Sequence, residues 1–141
     1  MGSRITMTLQ IPEAIRRQLA EAARAAAPLE ACGLLAGAEG RVEKCYPMTN
    51  ADASAEHFSI QLAEQFAAVK DMRAHSWQML AIWHSHPATP ARMSAEDLRL
   101  AYTPGVVHLI VSLAAPEAES LRGFVLENGA AREVEVMGVG G

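Results

Sequence analysis

The stretch from Met79 to Leu98 limits what this chain can fold into more than any other. Met79-Leu80-Ala81-Ile82-Trp83 is a short apolar run that reads as a buried strand. His84 and His86 follow two residues apart, and on an extended backbone such side chains leave the same face. Both imidazoles then aim at one spot, while Trp83 and Ser85 point away. Pro87 and Pro90 break regular structure after the pair and force an irregular loop. The loop ends at Ser94, and Asp97 falls three residues later, in the first turn of an expected helix over Ser94–Tyr102. Two imidazoles and one carboxylate on rigid flanking elements can make a three-ligand zinc site. An open fourth position distinguishes a catalytic zinc from a structural one.

Plainer readings fit the same residues. His-x-His pairs arise by chance in surface loops. Ser94-x-x-Asp97 before an apolar run is also a capping box, with Ser94 as N-cap. Local pattern leaves both open.

Together, His84-Ser85-His86-Pro87, six residues, Ser94, two residues and Asp97 resemble the His-x-His-Pro…Ser-x-x-Asp signature of the JAMM (MPN-plus) metalloproteases. That family also carries an upstream glutamate, often as Glu-x-Cys-Gly-Leu-Leu-x-Gly, and this chain has Glu30-Ala31-Cys32-Gly33-Leu34-Leu35-Ala36-Gly37. The similarity runs from about Leu9 to about Val136 by element order. It implies an α/β (α+β) JAMM fold of cytidine-deaminase-like type. A central, mostly antiparallel curved sheet would be flanked by two long helices and one short one. It also implies zinc (Zn2+) held by His84, His86 and Asp97, with Glu30 as general base for a zinc-activated water and Ser94 as donor to the oxyanion.

JAMM relatives hydrolyse the peptide or isopeptide bond after the C-terminal Gly-Gly of ubiquitin-like proteins. This compact chain has little room for the insertions of eukaryotic deubiquitinating members. It resembles the small stand-alone prokaryotic branch, which processes sulfur carriers, for instance by releasing cysteine or a short extension. A slim Gly-Gly tail calls for a narrow cleft, usually with an exposed strand edge. The alternative is a catalytically inactive MPN-type scaffold, although such relatives usually lose ligands that are all present here. A zinc nucleobase deaminase would need His-x-Glu and Pro-Cys-x-x-Cys. Neither occurs.

The rest of the chain reads as one domain over residues 1–141. Ile5, Met7, Leu9 and Ile11 alternate with polar residues as a half-buried strand. Pro12 is expected as the first helical residue, where its missing N–H matters least. Ile15, Leu19, Ala22, Ala23 and Ala26 give that helix an apolar stripe, and Pro28 ends it. Residues 30–36 and Arg41–Met48 read as strands about Ala38-Glu39-Gly40, with Glu30 at the entrance of the first. Asn50, where many JAMM relatives also place an asparagine, is accounted for by a turn. His57–Ile60 reads as a short strand. Gln61 to about Trp77 reads as a second long helix, its face set by Leu62, Phe66, Val69 and Met72/Arg73. His75 near its end suits the helix dipole. Val106–Leu113 is a central strand with His108 as a core histidine, and Pro104-Gly105 stops the short helix before it. Leu121–Glu127 and Ala131–Met137 form a hairpin about Asn128-Gly129.

Composition narrows the partners. Twelve basic against 16 acidic residues give a net charge of −4, which lacks the basic footprint of a nucleic-acid binder. Cys32 and Cys45 make no disulfide framework, and reduced thiols point to the cytoplasm. Cys32 reads as a buried structural cysteine, with a regulatory contact to zinc left open. Met1–Pro12 lacks a signal-peptide core, and no window is apolar enough to span a bilayer. The Gly138-Val139-Gly140-Gly141 end reads as a flexible tail. Oligomeric state, a homodimer included, is not set by the sequence.

Overall fold

The alternation read from the sequence becomes strands that pair into one closed sheet. The computed structural model describes residues 8–95, 97, 105–115 and 120–140. Its elements are β1 (Thr8–Pro12), α1 (Glu13–Ala26), β2 (Cys32–Ala38), β3 (Arg41–Met48), α2 (Leu62–Ala74), β4 (Gln78–His86), β5 (Val107–Ser112), β6 (Leu121–Glu127) and β7 (Ala130–Val139). Residues 4–7 of the opening strand, most of the expected Ser94–Tyr102 helix, Pro104 and Gly141 lie outside the described residues. None of the described helices is long and apolar enough to cross a membrane.

The strand order is β1-β3-β2-β4-β5-β6-β7, closed into a barrel. The β2–β3, β2–β4, β5–β6 and β6–β7 pairs are antiparallel. The β1–β3, β1–β7 and β4–β5 pairs are parallel. The expected curved sheet is therefore curved as far as closure, with a bare majority of antiparallel pairs. Closure runs through β1, which pairs β7 from Thr8↔Glu135 to Pro12↔Val139 and, among the described residues, pairs β3 at Gln10↔Arg41. The two hairpin turns place Glu39 and Gly40, and Asn128 and Gly129, at positive φ, as tight antiparallel turns require.

Helix α1 buries Ile15, Leu19 and Ala23, the stripe its spacing predicts. They pack with Leu9, Ile11, Leu35, Val42, Trp83, Leu109 and Val125. Pro12 differs from expectation: it is the extended N-cap, at φ −61 and ψ 150, and Glu13 is the first helical residue. Pairing with Val139 keeps Pro12 in the ladder. Trp83 lies over β2 because residue 33 is glycine. A Cβ there would stand 2.3 Å from the Tyr46 carbonyl oxygen and 2.6 Å from Trp83 Nε1.

Helix α2 covers the opposite face, and here the expected packing is corrected. Ala68 and Met72 are buried against Leu34, Ala36 and Tyr46, whereas Leu62 and Phe66 are 67% and 68% exposed. Polar anchors choose the orientation. The Tyr46 hydroxyl and Lys44 Nζ donate to Asp71 Oδ2 at 2.6 and 2.9 Å. Thr49 donates its N–H and hydroxyl to Glu64 at 2.8 and 3.0 Å. Glu64, Ala68, Asp71 and Met72 share one helical face, so these bonds bring Ala68 and Met72 inward. The helix ends at Ala74, short of Trp77. His75 is its C-cap, its ring 2.9 Å from the Asp71 carbonyl and stacked on Trp77. The strand expected at His57–Ile60 is reduced to one antiparallel bridge, Asn50↔Ile60.

Candidate metal centre

Strand β4 continues through both histidines before Pro87 stops it. Ala81 and Trp83 therefore face α1, and His84 and His86 face the other way, as the two-residue period predicts. The ladder places Cys32 opposite His84, so the start of β2 lies beside the pair. Glu30 stands two residues before β2 instead of opening it. On the far side of the loop, Ser94 and Asp97 cap each other. Ser94 N–H donates to Asp97 Oδ2, and Asp97 N–H donates to Ser94 Oγ, both at 3.0 Å. The capping box is thus real, and it holds the Asp97 carboxylate with Oδ1 toward His84 and Oδ2 toward His86.

One ligand atom each from Glu30, His84, His86 and Asp97 falls within 4.8 Å of the others, and all four residues are buried. His84 Nε2 and His86 Nε2 stand 3.2 Å apart. Asp97 Oδ1 is 3.2 Å from the first nitrogen, and Oδ2 is 2.9 Å from the second. Donors held tetrahedrally at zinc–ligand distances would be separated by about 3.3 Å. His86 Nδ1–H donates to the Pro90 carbonyl at 2.8 Å, which leaves a lone pair on Nε2 in the neutral ring. Lone pairs and a carboxylate converging in a buried space call for a proton or a cation between them. The donor set fits zinc.

The electrostatics agree. Burial holds His84 below its ordinary pKa, more than the Asp97 carboxylate raises it. For His86 burial acts in the same direction, but Asp97 and the Pro90 carbonyl outweigh it and the pKa rises. Burial would raise Asp97, yet the bonds from His84 and His86 hold it well below the usual carboxylate range. Burial, then Asp97, push Glu30 up to about 8. Its Oε1 is buried without a hydrogen-bond partner among the described residues.

Other sequence candidates fall elsewhere. Cys32 Sγ–H donates to the Met48 carbonyl at 3.8 Å, and burial raises its thiol to about 12. It is not in the cluster of four. His108 is buried in β5, opposite Phe124. The local patterns left out three contacts at the site. The Phe58 ring stacks on His84 with centroids 4.8 Å apart. Pro90 orients His86. Ser85, fully buried, accepts the Ala31 N–H on its hydroxyl at 2.7 Å. Alternation already turned Ser85 away from the histidines, whereas nothing local singles out Phe58.

Known proteins share this arrangement of chain. The model of prokaryotic homologs of the JAB domain matches residues 12–124. The CysO-cysteine peptidase of Mycobacterium tuberculosis is 38% identical over 111 residues, which cover 77% of this chain and 76% of that protein. The desampylase of Pyrococcus furiosus is 30% identical over 105 residues, 74% of each chain. A solution structure of a Desulfitobacterium hafniense protein superposes with a TM-score of 0.85 at 43% identity, covering 94% of both chains. The chain belongs to the prokaryotic JAB branch of the JAMM/MPN family and is an enzyme of its peptidase and isopeptidase type.

Proposed function

We propose that this chain is a zinc metallopeptidase that cuts the peptide or isopeptide bond after the C-terminal Gly-Gly of a ubiquitin-like protein or sulfur carrier, releasing cysteine or a short extension. The observation that carries the reading is the buried convergence of Glu30, His84, His86 and Asp97. The relatives named CysO-cysteine peptidase and desampylase supply the substrate class.

His84, His86 and Asp97 would hold the zinc. When bound, zinc supplies a Lewis acid that brings the pKa of an attacking water down to about 7. Glu30 takes the proton of that water as it attacks the carbonyl, then returns it to the leaving amine. Ser94 Oγ already accepts from Asp97 N–H, which leaves its own proton to donate to the developing oxyanion. The His86–Pro90 bond keeps that imidazole in the tautomer that can bind metal. The reduced, buried Cys32 and Cys45 suit the reducing cytoplasm.

The test is zinc content and turnover on a sulfur carrier bearing cysteine after Gly-Gly. Wild type should carry about one zinc per chain. Glu30→Gln should keep that zinc and lose about 10²–10⁴ in kcat. Failure to bind zinc after reconstitution, or a Glu30→Gln variant that still turns over, defeats the reading.

A further inference from the structure

We propose that Asn50 is a positioning residue whose carboxamide fixes the general base and an aromatic wall of the site as one unit; this rests on the peptidase reading above. Asn50 follows β3, and its bridge to Ile60 closes the intervening residues into a loop. Its Nδ2 donates toward three carbonyls, of Glu30 at 3.1 Å, His57 at 3.0 Å and Ser54 at 3.3 Å. Its Oδ1 accepts from the N–H groups of Asp52 at 3.0 Å and Ser59 at 3.3 Å. An Asx turn requires only the bond to Asp52. The remaining bonds exceed what a turn needs, and their destinations are specific.

His57 and Ser59 flank Phe58 on the chain, so the amide grips the backbone on both sides of the ring that stacks on His84. The third destination is the carbonyl of Glu30, whose N–H donates to Ser54 at 2.8 Å. The same Glu30–Ala31 peptide is held from the other side by Ser85, through the Ala31 N–H. Glu30 Oε1 has no hydrogen-bond partner among the described residues, so its aim is set chiefly by the backbone that carries it. The carboxamide is suited to this work because Nδ2 has two protons for carbonyl oxygens while Oδ1 takes amide protons. A carboxylate of the same size would instead face three carbonyl oxygens. Asn50→Asp is thus a near-isosteric loss of the donor.

The experiment compares zinc-loaded wild type, Asn50→Asp and His57→Ala on the sulfur carrier substrate. His57→Ala removes the exposed His57–Asp52 contact but keeps every backbone partner of Asn50. A displaced base should lower kcat by about 100-fold in Asn50→Asp, with zinc content kept and KM within about threefold of wild type. His57→Ala should follow wild type. In zinc-free protein, nuclear magnetic resonance reads the coupling without turnover. The ring-current shift of His84 by Phe58 and the slow exchange of the Glu30 amide should be lost together in Asn50→Asp and kept in His57→Ala.

Loss of only one of the two signatures overturns the proposal, as does loss of zinc in Asn50→Asp or a kcat within about threefold of wild type. Should wild type turn over no substrate, the peptidase reading fails, and the paired resonance signatures alone decide whether Asn50 couples Glu30 to Phe58.

Discussion

The two faces of β4 are equally dry and chemically opposite. Trp83, fully buried, meets α1 and the aliphatic interior. One residue later the chain presents His84 and then His86, 2% and 4% exposed, to a cluster of polar atoms that face one another. On the first face burial is repaid by dispersion and exclusion of water. On the second it leaves lone pairs and a carboxyl short of partners, which lowers stability and raises reactivity. A single strand thus carries both the firmest and the most reactive parts of the fold, separated by one step of its pleat.

The comparison is broken most severely by His84→Ala/His86→Ala. Metal analysis should find no bound zinc, and cleavage of the carrier should fall to background. The fold should survive, since the polar face contributes function in place of stability. Trp83→Ala attacks the other face and should cost about 3–5 kcal/mol in denaturant unfolding. A loss below about 1 kcal/mol would mean that the α1 face is not close-packed.

A pH series sharpens the contrast. In zinc-free protein Glu30 holds its proton to about 8, against an ordinary value of 4.5. Its folded pKa is raised, so its contribution to stability is full below about pH 4.5 and is lost as pH rises through about 8. Wild type in a chelator should therefore lose on the order of a few kcal/mol relative to Glu30→Gln between pH 4.5 and 8. Parallel unfolding curves for the two proteins across that range would show that the buried carboxyl is not strained. The smallest effect is expected at Leu62→Ser or Phe66→Ser on the outer side of α2, within about 0.5 kcal/mol of wild type in the same assay.

What the sequence disclosed follows the range of the interactions involved. The shared direction of His84 and His86 was legible because it depends on a period of two, and the Ser94–Asp97 cap because it spans three residues. Glu30 was legible only through family resemblance, since a lone glutamate at a strand entrance carries no pattern of its own. The packed face of α2 was read correctly at Met72 and misread at Leu62 and Phe66. Its apolar residues lie on more than one side, and the choice was made by Asp71 and Glu64 bonding to residues of another element. Asn50 was legible as a turn residue, but its bond to the Glu30 carbonyl reaches another element and leaves no local trace. Closure of the sheet was invisible for the same reason, as nothing in β1 specifies a parallel partner 127 positions away.

That closure also bears on the order in which the molecule can assemble. β2, β3 and β4 come from one continuous middle portion of the chain and can pair through short or moderate connections. β1 must wait for β7, so it spends synthesis with an unfilled edge, and long-range pairing of this kind slows folding. Pulse-labelled hydrogen exchange should show amides of β2 protected before those of β1; the reverse order would mean that the barrel closes first. On this account β1 leaves the ribosome before β7 yet is locked only once β7 arrives, and the growing chain is most open to aggregation along β1 in that interval.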